Sequence, residues 1–151
     1  MKKFYLLFAF LFSISIFGQK NNLDDSFLAV KGYDVVSYHT KGIPQKGKKA
    51  FEVNHNGARY LFLSKENKQR FLTHPSAYIP AYGGWCAYAM VKGKEVEINP
   101  KAFYIQQGKL YLFYKTPWVD TQAKWVKNKD ALKIKADAAW AKKQTQEFNE
   151  D

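Results

Sequence analysis

Cysteine is almost absent: Cys86 is the one thiol in the chain. A lone cysteine cannot close an intrachain disulfide, so stability has to come from packing. It also excludes a Cys-x-x-Cys redox pair and any zinc site built from several thiolates. Imidazoles are few (His39, His55 and His74), and Met90 is the only methionine besides Met1. Acidic residues number 13 against 24 basic ones, a formal charge of +11. There is no Gly-x-Ser-x-Gly, no phosphate-binding glycine loop and no His-Glu-x-x-His, so the commonest hydrolase, nucleotide and metalloprotease signatures are missing. No second long apolar run follows the first 18 residues, and no lasting membrane span is expected.

What is present begins with a leader. Lys2 and Lys3 precede an apolar run, Phe4 to Phe17, broken only by Ser13 and Ser15. Gly18 and the polar Gln19-Lys20-Asn21-Asn22 follow. This pattern predicts a secretory signal peptide over residues 1–18, cleaved after Gly18, and an exported, periplasmic or secreted protein. No cysteine follows the run, so a lipid anchor on a new N-terminal Cys is not expected. Only lysines leave with the leader, and the mature chain stays strongly basic. Nucleic acid is the default partner of a basic cytosolic protein, and export argues against it. Lys41, Lys46, Lys48 and Lys49 form the densest basic block, with no acid among them. An anionic envelope surface is the partner that suits them, and plain solubility is the simpler explanation.

Aromatic residues make up 17% of the chain, enough for a tight core in one domain. Residues 19–28 are expected to be a mobile leader segment, 29–145 the domain and 146–151 a tail. Leu28 to His39 is rich in β-branched and aromatic residues and predicts extended chain. Thr40 to Lys48 carries Gly42, Pro44 and Gly47 and predicts a loop. Asn56-Gly57 between two apolar runs predicts a hairpin with strands at about 50–54 and 58–63. Ser64 is a candidate N-cap for a helix over 65–73 with Phe71 and Leu72 on its apolar side. Pro75 opens one further turn. Asn99-Pro100 marks a turn, and a second hairpin spans about 103–114 around Gln106-Gln107-Gly108-Lys109. Thr116-Pro117 reads as the start of a helical region, with Trp118, Trp125, Leu132 and Ala139 every seventh residue and a break near Asn128. Hairpins and helices without β–α alternation predict an α+β fold: one small antiparallel sheet of two hairpins against several helices. Phe51, Val53, Phe62, Phe71, Leu112, Trp125 and Trp140 are the expected core.

The most distinctive stretch is Tyr82-Gly83-Gly84-Trp85-Cys86-Ala87-Tyr88-Ala89-Met90. Gly-Gly before an Ala-rich apolar run predicts a sharp bend into a buried helix over about 84–91. Three readings compete for it. Cys86 and Met90, four residues apart, could share one helix face, and with His39 they would make a soft site suited to Cu(I). Cys86 in a first helical turn could be an activated thiol, with His39 as a distant base. Or Tyr33, Tyr38, Tyr82, Trp85 and Tyr88 could line an aromatic ligand pocket with Gly83, Gly84 and Cys86 at its edge. Against all three stands simple burial, since free cysteine is among the most buried residue types.

Phe62-Leu63-Ser64 with Phe71, Pro75 and Tyr78, after Gly57 and Tyr60, resembles the YHS-domain family. Lys31-Gly32-Tyr33-Asp34, the Gly83-Gly84-Trp85-Cys86-Ala87-Tyr88 run and Gly108-Lys109-Leu110-Tyr111-Leu112 resemble its exported branch. The likeness runs from about Ala29 to Trp140. Relatives of the domain are small metal-handling modules with cysteines at fixed places, and the resemblance puts those places at Ser37, Leu63 and Asn67. None is cysteine, so the relatives' metal site is not expected here. The sequence therefore predicts an exported, non-catalytic, monomeric binding module for a small ligand or envelope component. Its alternative is a thiol redox or Cu(I)-handling protein using Cys86 and Met90.

Overall fold

Two tight turns organise the strands. Asn56 and Gly57 both have positive φ, 50° and 77°, as a two-residue hairpin turn between right-twisted strands requires. On either side, β1 (Lys48–His55) and β2 (Ala58–Phe62) pair antiparallel, with His55 opposite Ala58. Gln107 and Gly108, at 50° and 73°, play the same part between β3 (Asn99–Gln106) and β4 (Lys109–Phe113). The computed structural model describes residues 21–147. The expected signal peptide and the last residues of the expected tail, 148–151, lie outside the described residues.

The fold is α+β, with six α-helices among the described residues and two separate two-stranded sheets. One shared sheet was the sequence expectation. The outer edge of each hairpin is taken by other chain. Arg59 of β2 exchanges backbone hydrogen bonds with Phe27 and Ala29, and Leu112 of β4 forms a parallel bridge with Cys86. With those edges covered, the hairpins do not join each other through β2 and β4.

Between Leu28 and His39 the extended expectation is corrected. Val30–Gly32 is a 3-10 turn, and Val35–Thr40 is a helix, α1. Asp34 is its N-cap, accepting from the backbone N–H of Val36 and Ser37. The cap and burial of Val35, Val36 and Tyr38 override the strand preference of the β-branched residues. Of the segment before it, expected to be a mobile leader over 19–28, residues 19–20 lie outside the described residues, and from Asn22 onward it contacts the domain. The Asn22 N–H donates to the Gly83 carbonyl at 2.8 Å, and Leu23 packs against the core.

Ser64 caps α2 (Lys65–Thr73) by accepting from the Asn67 N–H. Phe71 is fully buried, but Leu72 is exposed. α3 (Pro75–Tyr78) is one turn with proline at its start. Asn99-Pro100 lies in the irregular opening of β3, where a residue without N–H is tolerated. Thr116-Pro117 opens no helix. The Thr116 hydroxyl accepts from the Val119 N–H in a tight turn that leaves Trp118 92% exposed. Asp120 instead caps α5 (Thr121–Val126), and α6 (Lys129–Glu147) follows after a break at Lys127–Asn128.

The core is two clusters with β4 between them. Leu110 and Leu112 face one, with Tyr38, Phe62 and Phe71. Tyr111 and Phe113 face the other, with Met90, Trp125 and Ala136. A strand buried on both faces cannot show polar alternation, and Leu110 to Phe113 shows none. Phe62, Phe71, Leu112 and Trp125 are buried as expected. Phe51, Val53 and Trp140 are half-buried at the margins. Among the described residues, no helix is long and apolar enough to cross a membrane.

Candidate functional site

The Gly-Gly stretch forms an arch. Ala81–Gly84 is a 3-10 turn in which Tyr82, Gly83 and Gly84 have φ of 54°, 61° and 84°. Glycine adopts this region freely, whereas a tyrosine there is strained by about 1 kcal/mol. Tertiary contacts hold Tyr82 in place. Its ring meets those of Tyr111 and Trp140, and its hydroxyl donates to Asp137 Oδ1 at 2.8 Å. The expected helix over 84–91 is shorter than predicted. It is the single turn α4 (Ala87–Met90), and it starts after Cys86.

Where the arch meets the β3–β4 turn and α6, the chain encloses a cleft of about 420 Å³. Tyr82, Tyr111 and Trp140 give it aromatic walls. Lys133 and Asp137, one helical turn apart, form an ion pair at 2.6 Å. Both Asp137 oxygens are therefore engaged, one by Lys133 and one by Tyr82. The Lys133 pKa is raised, chiefly by its hydrogen bond to Asp137. Burial, and then Asp137, push the Tyr82 phenol well above its ordinary range, so it remains a donor. Gln106 and Lys109 approach from the turn. Gln106 donates through Nε2 to Asp130 at 2.8 Å, while its buried Oε1 has no partner among the described residues. Lys109 donates to the Ser76 carbonyl at 3.2 Å, and burial lowers its pKa.

The structure divides the expected pocket. Tyr82 and Gly83 line the cleft. Gly84 completes the arch without lining it, and Trp85 packs at the margin of the second cluster. Tyr88 lies half-buried beneath the Lys124 ammonium, 5.9 Å from its ring centre. Tyr33 is half-buried and bridged to Lys46. Tyr38 is fully buried, with its hydroxyl on the Pro100 carbonyl at 2.7 Å. Sequence reasoning missed Gln106, Lys109, Tyr111, Lys133, Asp137 and Trp140. The i, i+4 spacing of Lys133 and Asp137, with Trp140 three residues on, was a legible sign that the three share one helix face.

Cys86, Met90 and His39 have three different surroundings. Cys86 is wholly buried, accepts the Tyr114 N–H at 3.2 Å and lies 3.5 Å from the Thr121 hydroxyl. Met90 packs in the other cluster. His39 stacks edge-on against Tyr78, and burial, with help from Lys109, lowers its pKa. Among the described residues, no group of three His, Cys, Asp or Glu side chains could hold a metal. Cys86 in folded protein should therefore react slowly with a thiol reagent at neutral pH. Replacement by alanine should cost about 1–3 kcal/mol in urea unfolding. Rapid labelling of native protein would overturn this reading.

Ser37, Leu63 and Asn67, where the resemblance places cysteines, do converge, but on a carboxylate. Asp34 is fully buried. Its Oδ1 accepts from the Val36 and Ser37 N–H, and its Oδ2 from the Leu63 N–H and Asn67 Nδ2, both at 2.7 Å. The Ser37 hydroxyl donates to the Asp34 carbonyl. Each carboxylate oxygen already takes two donors, and leucine cannot ligate. These residues do not fit a thiolate metal centre of the kind that the resemblance implies.

Lys41, Lys46, Lys48 and Lys49 are all exposed. Comparison of the chain with family models, curated proteins and solved structures finds no match.

Proposed function

We propose that this chain is an exported, non-catalytic binding module of the YHS-like type that holds a small ligand in the cleft beneath Tyr82 and Gly83. The observation that carries the reading is Gln106: a side chain 6% exposed, lining the cleft, whose Oε1 has no partner among the described residues. A buried polar atom without a partner is costly, and a ligand donor would relieve that cost. Ring walls with a few converging polar groups are the usual make-up of small-molecule sites, and the volume lies within their range. The apolar leader behind Lys2 and Lys3 supports export, and the burial of Cys86 supports a non-catalytic role. The exposed lysines at 41, 46, 48 and 49 suit weak, salt-screened attachment to an anionic envelope surface.

A fragment screen followed by protein NMR tests the cleft. Bound fragments should shift the Trp140 indole and Gln106 side-chain signals first. Fragments that gather instead in the open hollow beside α2, near Arg70 and His74, would remove the basis for the proposal.

A further inference from the structure

We infer that the cleft selects a small organic acid, with Lys109 as the counter-charge to its carboxylate. The inference rests on the cleft being a binding site and adds the class of ligand. Of the two lysines that line it, Lys133 is already matched by Asp137 at 2.6 Å. Lys109 is not matched. Its hydrogen bond goes to the Ser76 carbonyl, a neutral acceptor, and no carboxylate pairs with it among the described residues.

Half-burial has taken water from Lys109 without supplying an anion. A half-buried ammonium in that state gains most from a carboxylate, because a charge-assisted hydrogen bond is about twice as strong as a neutral one. A cationic ligand gains less, because the carboxylates nearby already have partners. Both Asp137 oxygens are engaged, by Tyr82 and Lys133, and Asp130 serves Gln106. Gln106 Oε1 adds a second requirement, a hydrogen-bond donor on the ligand. The rings of Tyr82, Tyr111 and Trp140, packed on one another along the wall, add a third, a flat apolar body to lie against them. A flat carboxylic acid bearing a hydroxyl meets all three.

The probes are 4-hydroxybenzoate, its neutral analogue 4-hydroxybenzamide and unsubstituted benzoate, titrated into the full mature chain and followed by NMR. The acid should bind about tenfold tighter than the amide, the advantage expected of one charge-assisted bond. It should also bind tighter than benzoate, and its affinity should fall with added salt while that of the amide does not. Lys109→Met should erase the acid's advantage, and Lys109→Arg should restore most of it. The salt dependence in unaltered protein keeps the test valid if Lys109→Met folds poorly.

Equal affinity for acid and amide, both at the cleft, overturns the anion inference and leaves the binding site standing. So does an acid advantage that survives Lys109→Met in folded protein. A cleft that takes up none of the three probes and no neutral fragment overturns both.

Discussion

Asp34→Asn should lower the stability of the fold by about 3 kcal/mol or more in urea unfolding. The change is nearly isosteric, so the loss has to come from hydrogen bonding. Each carboxylate oxygen accepts two donors: Val36 and Ser37 N–H on one, Leu63 N–H and Asn67 Nδ2 on the other. An asparagine must turn its NH2 toward one pair. Facing Val36 and Ser37, it opposes two backbone N–H groups at the start of α1. Facing Leu63 and Asn67, it can be met by a flipped Asn67 amide, but the Leu63 N–H still points at a donor. Either way a buried donor is left unpaired, and the remaining bonds lose the strength that the charge conferred. Asp34→Ala should cost at least as much. Ser37→Ala should cost less, since it loses only the hydroxyl bond to the Asp34 carbonyl. An Asp34→Asn protein within about 1 kcal/mol of the unaltered one would show that this knot does not hold α1 to α2.

Gly47→Ala should be comparably damaging, for a steric reason. A Cβ on Gly47 would stand 2.3 Å from both the carbonyl carbon and oxygen of Leu61 and 2.6 Å from the Leu61 Cβ. These are not the ends of flexible side chains. Leu61 is inside β2, opposite Glu52, and Gly47 is itself pinned by its N–H to the Gly32 carbonyl at 2.9 Å. Relief requires the strand or the loop to move, and the expected loss is about 3 kcal/mol or failure to fold. Lys46→Ala, at the exposed neighbouring residue, should change stability by only about 0.5 kcal/mol. A Gly47→Ala protein with an unchanged urea midpoint would mean that the loop and β2 separate more easily than their contacts imply.

Gly47 shows where the limits of sequence reading lie. In the chain it is one of three turn-forming residues between Thr40 and Lys48, no different from Gly42. Only the approach of β2 makes it a point where a methyl group cannot fit. Tyr82 is a similar case. Gly83-Gly84 announced a bend, but nothing local announced that the tyrosine before them shares the left-handed conformation. That state is held by Asp137 and Trp140, more than fifty residues away. Trp118 failed in the opposite direction. Its seven-residue spacing from Trp125 is real, yet the Thr116–Val119 turn closes on itself and leaves the indole in solvent.

Signals confined to a few residues were readable in the sequence. Asn56-Gly57, the Ser64 cap, Pro75 at a helix start and the break near Asn128 each arise from the preferences of neighbouring backbone, and each stands where expected. The α+β class followed from them. The cap of α1 was equally local, in Asp34, but a run of β-branched residues concealed it. Tertiary structure decided the rest. Which strand edges were covered determined that there are two sheets instead of one. Which side chains shared a cleft was set by α6 lying across the arch, which brought Lys133 and Asp137 to Tyr82 and left Tyr33 and Tyr38 elsewhere. Contacts between residues far apart in the chain depend on how whole elements pack, and spacing along the chain carries no record of that packing.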